Sequence, residues 1–142
     1  MTSWGKIAEE VEKRAGRRCE YCRMHQSLQG ATFHVEHVVP RSLGGTSEIH
    51  NLAWACPSCN LHKSDRVEVQ LPGVPQAVLL FNPRTNRWDE HFAWDGYRVV
   101  ARTPVGQAAI DVLKLNHHRR ISIRQAEALF GLFPPHDDEP GG

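Results

Sequence analysis

The chain has 142 residues, of which 40% are hydrophobic and 23% charged, with a formal net charge of +1. That length and balance fit one small globular domain. No apolar run is long enough to span a bilayer, and no apolar signal segment follows Met1, so the expected setting is cytoplasmic, with no membrane partner. A surplus of one positive charge is weak for a protein that grips phosphate backbones. On charge alone a mixed, solvated surface is the expected reading. The charge is nevertheless uneven. Lys13, Arg14, Arg17, Arg18 and Arg23 surround the first cysteine pair, and Lys63 and Arg66 follow the second.

In chain order, Ser3 is a helix cap, Ile7, Ala8, Val11 and Ala15 recur at helical spacing, and Gly16 is a stop. A first helix is therefore expected to about residue 15, with Trp4 joining its apolar face. After Cys19-x-x-Cys22, residues 24–32 read as a loop. Phe33, Val35 and His37 alternate with His34 and Glu36, which predicts a short strand ended by Pro40. Residues 41–48 hold Gly44-Gly45 and read as a loop in which positive φ is available. A second strand or buried segment is expected over 51–55. Pro57 then suits the first turn of a helix carrying Asn60, His62 and Lys63.

Beyond Arg66 the character changes. Residues 71–75 are turn-rich, 78–81 suit a short strand, and Asp95-Gly96 between 88–94 and 97–101 predicts a β-hairpin. Thr103 and Pro104 open a helix with Val105, Ala108, Ala109, Val112 and Leu113 on one face. A last helix is expected over 119–129, followed from 134 by a proline-, acid- and glycine-rich tail expected to be disordered. Trp88, Phe92 and Trp94 are expected to fill a small core, with phosphate contacts from Arg84, Arg87, Arg98 and Arg102 as a secondary role. His117 and His118 read as a solvated helix start rather than a metal pair.

The chemistry concentrates between residues 19 and 66. Cys19, Cys22, Cys56 and Cys59 form two Cys-x-x-Cys pairs, the spacing of a tetrahedral zinc site. Paired thiols in a reducing compartment favour metal over disulfides. Four thiolates leave the ion coordinatively full, so its role is structural: it staples the two ends of an inserted unit.

Inside that bracket stand Glu36-His37-Val38-Val39-Pro40, then Gly44-Gly45, then Asn51-Leu52, then Cys59-Asn60-Leu-His62-Lys63. This order is similar to that of the HNH endonuclease family, in its four-cysteine zinc form. The resemblance implies an α+β fold: a zinc-stapled ββα-metal nuclease core with an N-terminal helix and a C-terminal β-hairpin plus helices. It covers about a third of the chain. The expected layout is one domain over 1–142, with the core at about 17–67, an extension at about 72–133 and the tail at 134–142. The extension resembles those attached to free-standing bacterial members.

By the same resemblance, His37 is the general base, Glu36 and Asn60 hold a catalytic Mg²⁺, Mn²⁺ or similar cation, and Asn51 braces the loop presenting the base. Glu36 stands where many members have Asp, and Asn60 where many have His. The implied activity is hydrolysis of DNA phosphodiester bonds to a 5′-phosphate and a 3′-hydroxyl. Arg18, Arg41, Lys63 and Arg66 are the candidate nucleic-acid contacts, and His34 and His62 candidate helpers. The chemistry is coherent, because phosphodiester hydrolysis needs a base for water and charge to oppose the developing anion. Two other readings stay open: a zinc-dependent nucleic-acid-binding module without catalysis, and an RNA-cleaving enzyme. Monomer and homodimer are both compatible with the sequence.

Overall fold

The computed structural model describes residues 3–135. The tail expected to be disordered begins at 134, and from 136 on it lies outside them. The fold is α+β, built from helices and three small two-stranded antiparallel sheets.

The first helix, α1, spans Trp4–Arg14, and its Ser3 cap accepts from Lys6 N at 3.3 Å. Gly16 at φ 64° turns the chain out of it. Strand β1 (His34–His37) pairs antiparallel with β2 (Leu52–Ala55) in the register His34 with Ala55 and His37 with Leu52. Every residue of β2 is buried, and it is a continuous apolar run rather than an alternating one. Pro57 opens α2 (Pro57–Lys63), with Cys56 as its N-cap. Strand, loop, strand and helix therefore follow in the expected order.

The downstream half differs in detail. Strand β3 (Glu68–Val69) pairs with β4 (Val78–Leu79). The charged run around Glu68 gave no hint of β3, which exists because β4 offers it an edge. Residues 88–91 form a one-turn helix, α3 (Trp88–His91), rather than the first part of a hairpin strand. The hairpin is shorter: β5 (Phe92–Asp95) and β6 (Arg98–Ala101) around Gly96. Helix α4 (Pro104–Leu113) is capped by Thr103, and α5 spans His118–Leu129.

One apolar cluster runs through both halves. Val11, Met24, Phe33, Leu52, Phe81, Trp88, Phe92, Val99 and Leu113 all belong to it. Trp88 packs on Phe92 and Trp94 at ring-centroid distances of 4.8 and 5.0 Å, and its indole N–H donates to Tyr21 O at 3.0 Å. The aromatic group is thus a core that fixes the extension to the cysteine bracket. Among the described residues, no helix is long and apolar enough to cross a membrane.

Candidate functional site

The four cysteines arrive from two directions. Cys19 and Cys22 lie on a turn stitched by Cys19 N to Met24 O (2.9 Å) and Arg23 N to Cys19 O (2.8 Å). Cys56 and Cys59 lie at the start of α2, where Cys59 N donates to Cys56 Sγ at 3.3 Å. All four are buried and unpaired by disulfides, with their sulfurs within 4.8 Å of one another. Four thiolates about 2.3 Å from a tetrahedral zinc stand roughly 3.8 Å apart. The Cys22–Cys56 sulfur distance is 3.8 Å. The residues present therefore fit zinc.

Arg120 of α5 backs this cluster, although its position in the chain gave no reason to expect it. Its guanidinium lies 3.5 Å from Cys59 Sγ and also donates to Ser58 Oγ (3.0 Å) and Leu113 O (2.8 Å). Burial alone would lower its pKa, but the Cys59, Cys22 and Cys56 sulfurs outweigh burial and raise it. A fixed positive charge beside four thiolates offsets their mutual repulsion.

The other half of the site sits on β1. Adjacent strand residues point to opposite faces, so Glu36 turns inward and His37 outward. The His37 ring is half-buried, with Nε2 2.9 Å from Ser47 Oγ. Arg41 donates to the same hydroxyl oxygen at 3.2 Å. Burial first, then the charges of Arg41 and Lys63, hold the imidazole below the usual histidine range. At neutral pH it is therefore uncharged. In the tautomer whose Nε2–H donates to Ser47, the lone pair is on Nδ1.

Asn51, buried at the end of the turn Ile49–Asn51, spans the loop after β1. Its Oδ1 accepts from Val39 N (3.0 Å), and its Nδ2 donates to Val39 O (3.0 Å) and Thr46 O (2.8 Å). Gly45 passes so close that an added Cβ would lie 1.7 Å from Val39 O and 2.9 Å from Asn51 Nδ2. Only glycine allows that approach.

Glu36 is 5% exposed, and both its oxygens are engaged. Lys63 Nζ is 2.5 Å from Oε1, and Tyr21 Oη donates to Oε2 at 2.7 Å. Lys63 is itself 2% exposed and donates to Val38 O (3.0 Å) and His37 O (3.4 Å). Burial raises the Glu36 carboxyl, and Lys63 and Tyr21 pull it only partly back. An ammonium group thus occupies the oxygen-lined position beside Glu36 that a metal cation would need. In this arrangement Glu36 does not fit as a ligand of a divalent cation.

The structure places two of the expected nucleic-acid contacts in the interior. Lys63 is buried in that ion pair. Arg18 is 2% exposed, with its guanidinium donating to Arg23 O (2.9 Å) and Leu132 O (2.8 Å). Arg41 and Arg66 are exposed, and Asn60 on α2 is half-buried. His34 is exposed, and His62 lies on Ser58 O through Nδ1 at 2.7 Å. Trp4 does not join the apolar face of α1. It lies against His37, with ring centroids 6.3 Å apart and planes 12° apart.

The family comparison falls on this unit. The chain carries an HNH endonuclease domain, matched by that family's model over residues 19–66. The matched domain implies a nuclease-type function, in a family that uses divalent metal. The HNH domain begins at Cys19 and ends three residues after Lys63, so it holds the cysteine cluster, β1, the braced loop, β2 and α2. No curated protein and no solved structure matches the chain.

Proposed function

We propose that this protein is an endonuclease that hydrolyses DNA phosphodiester bonds, with His37 as general base. The observation that supports it best is the setting of His37. Its imidazole is held uncharged, anchored through Nε2 to Ser47, and placed beside the exposed Arg41 on a loop braced by Asn51. In this reading Nδ1 takes a proton from the attacking water. The water oxygen bonds to phosphorus as the bond to the 3′ oxygen breaks, and that oxygen takes a proton from solvent, leaving a 5′-phosphate and a 3′-hydroxyl. Arg41 opposes the charge growing on the phosphate oxygens. The zinc-fitted cysteines keep the strand and helix in place and take no part in the chemistry.

The test is plasmid cleavage by zinc-loaded protein with and without added Mg²⁺ or Mn²⁺, comparing wild type with His37→Ala. Loss of nicking in the variant by two to four orders of magnitude is expected. Equal rates in the two, with zinc content unchanged, remove His37 as the base. The engagement of Glu36 by Lys63 favours one second reading, a nucleic-acid-binding module without catalysis. That module would bind a plasmid with salt-sensitive affinity and cut it under none of these conditions.

A further inference from the structure

Trp4 is 50% exposed, which is unusual for the largest apolar side chain. The other three tryptophans pack in or against the core: Trp54 and Trp88 are buried, and the half-buried Trp94 lies between Trp88 and Phe133. Trp4 instead stacks nearly parallel on His37, the residue taken above as the base, with half of its surface open to water. The guanidinium of the exposed Arg41 is linked to the same imidazole through Ser47. An open π-face, an imidazole and a cation therefore share one rim of the molecule.

Aromatic faces beside cationic groups are how proteins hold single nucleic-acid strands, since every base offers a π-face and every linkage a phosphate. A base inside a duplex has both faces covered by its neighbours. It reaches an indole only by leaving the stack. With a net charge of +1, phosphate attraction supplies little of the affinity, and a stacked base supplies what charge does not.

We propose that Trp4 is a stacking platform for one unpaired nucleobase next to the phosphate served by His37. The substrate of this site is then single-stranded or locally unpaired nucleic acid. The proposal rests on the endonuclease reading above, and its test separates the two.

Fluorescein-labelled oligothymidylate, the same oligomer carrying abasic positions, and a blunt duplex of equal length are titrated against zinc-loaded full chain without added divalent cation. The proteins are wild type, Trp4→Leu, which keeps an apolar cover over His37, and Trp4→Phe, which keeps a ring. Trp4→Leu is expected to weaken oligothymidylate binding about 5- to 150-fold, while Trp4→Phe keeps most of it. The abasic oligomer and the duplex should bind wild type and Trp4→Leu alike. Oligothymidylate binding unchanged in Trp4→Leu, an equal loss on the duplex, or no binding by wild type overturns the proposal. Trp4-dependent binding without cleavage in Mg²⁺ or Mn²⁺ overturns the endonuclease reading and leaves the platform standing. Cleavage with Trp4-independent binding does the reverse.

Discussion

Asn51 shows what one buried amide does at this site. Its side chain makes three hydrogen bonds to the backbone at Val39 and Thr46, so it holds both ends of the loop that follows His37. Asn51→Asp keeps the size but replaces the donating Nδ2 with an oxygen facing two carbonyl oxygens. Leaving buried carbonyls unpaired costs about 1–3 kcal/mol each. Asn51→Asp is therefore expected to destabilise the domain by roughly 2–6 kcal/mol in denaturant titration. Asn51 and Gly45 could be singled out from the sequence through their family positions. The reason they go together, a glycine so near the amide that an added Cβ would lie 2.9 Å from its nitrogen, is a distance between segments and exists only in the fold.

At the level of elements, the link between β1 and α2 is the buried pair Glu36–Lys63. Both residues were expected to meet ligands, the first a cation and the second a phosphate. They meet each other, because β1 turns Glu36 inward and α2 ends with Lys63 against the same interior. Removing one partner of a buried pair strands the other charge, at a cost of about 3–5 kcal/mol. Lys63→Met should lose about that much stability. The double variant Glu36→Gln with Lys63→Met should recover most of it, and a double-mutant cycle by chemical denaturation checks both statements. A further consequence concerns metal. If Glu36 is a strut, Glu36→Gln should leave the affinity for Mn²⁺ within about twofold of wild type by calorimetry. A loss beyond tenfold, about 1.4 kcal/mol, would restore Glu36 as a cation ligand. The strands and helices of the HNH domain were legible because proline, glycine and alternation mark their ends. Strand β3 and helix α3 were not, because two or four residues carry too little periodicity and their form depends on what they pack against.

Across the whole molecule, the C-terminal half is docked on the cysteine cluster rather than trailing from it. Arg120 lies on Cys59, Glu127 accepts from His25 N at 2.9 Å, and Trp88 donates to Tyr21 O. Arg120→Met is expected to speed loss of zinc to a chelator or weaken its binding by about 10- to 100-fold, read with a colorimetric zinc indicator. The docking also leaves a pH signature. Burial pushes the Glu127 carboxyl up to about 7, against 4.5 for an ordinary glutamate, and the His25 N–H and Arg18 only partly oppose it. Between those values the folded chain holds a proton that the unfolded chain releases. The stability from this group is therefore complete below pH 4.5 and lost as pH rises through 7. Glu127→Gln should gain stability relative to wild type as pH is raised from 5 to 8 in thermal melts. A constant difference across that range would reject the shift.

The sequence by itself determined the local code: the cap at Ser3, the two Cys-x-x-Cys turns, the strand stopped by Pro40, and the helix opened by Pro57. Each rests on constraints acting within a few residues, so it is written in consecutive letters. Tertiary structure alone decided partnership. It chose Lys63 for Glu36, placed Arg120 at the thiolates from the far end of the chain, buried Arg18, and left Trp4 open beside His37. A side chain's charge and length are local properties. Whether that charge meets water, a ligand or a counter-charge is set by which distant segment packs over it.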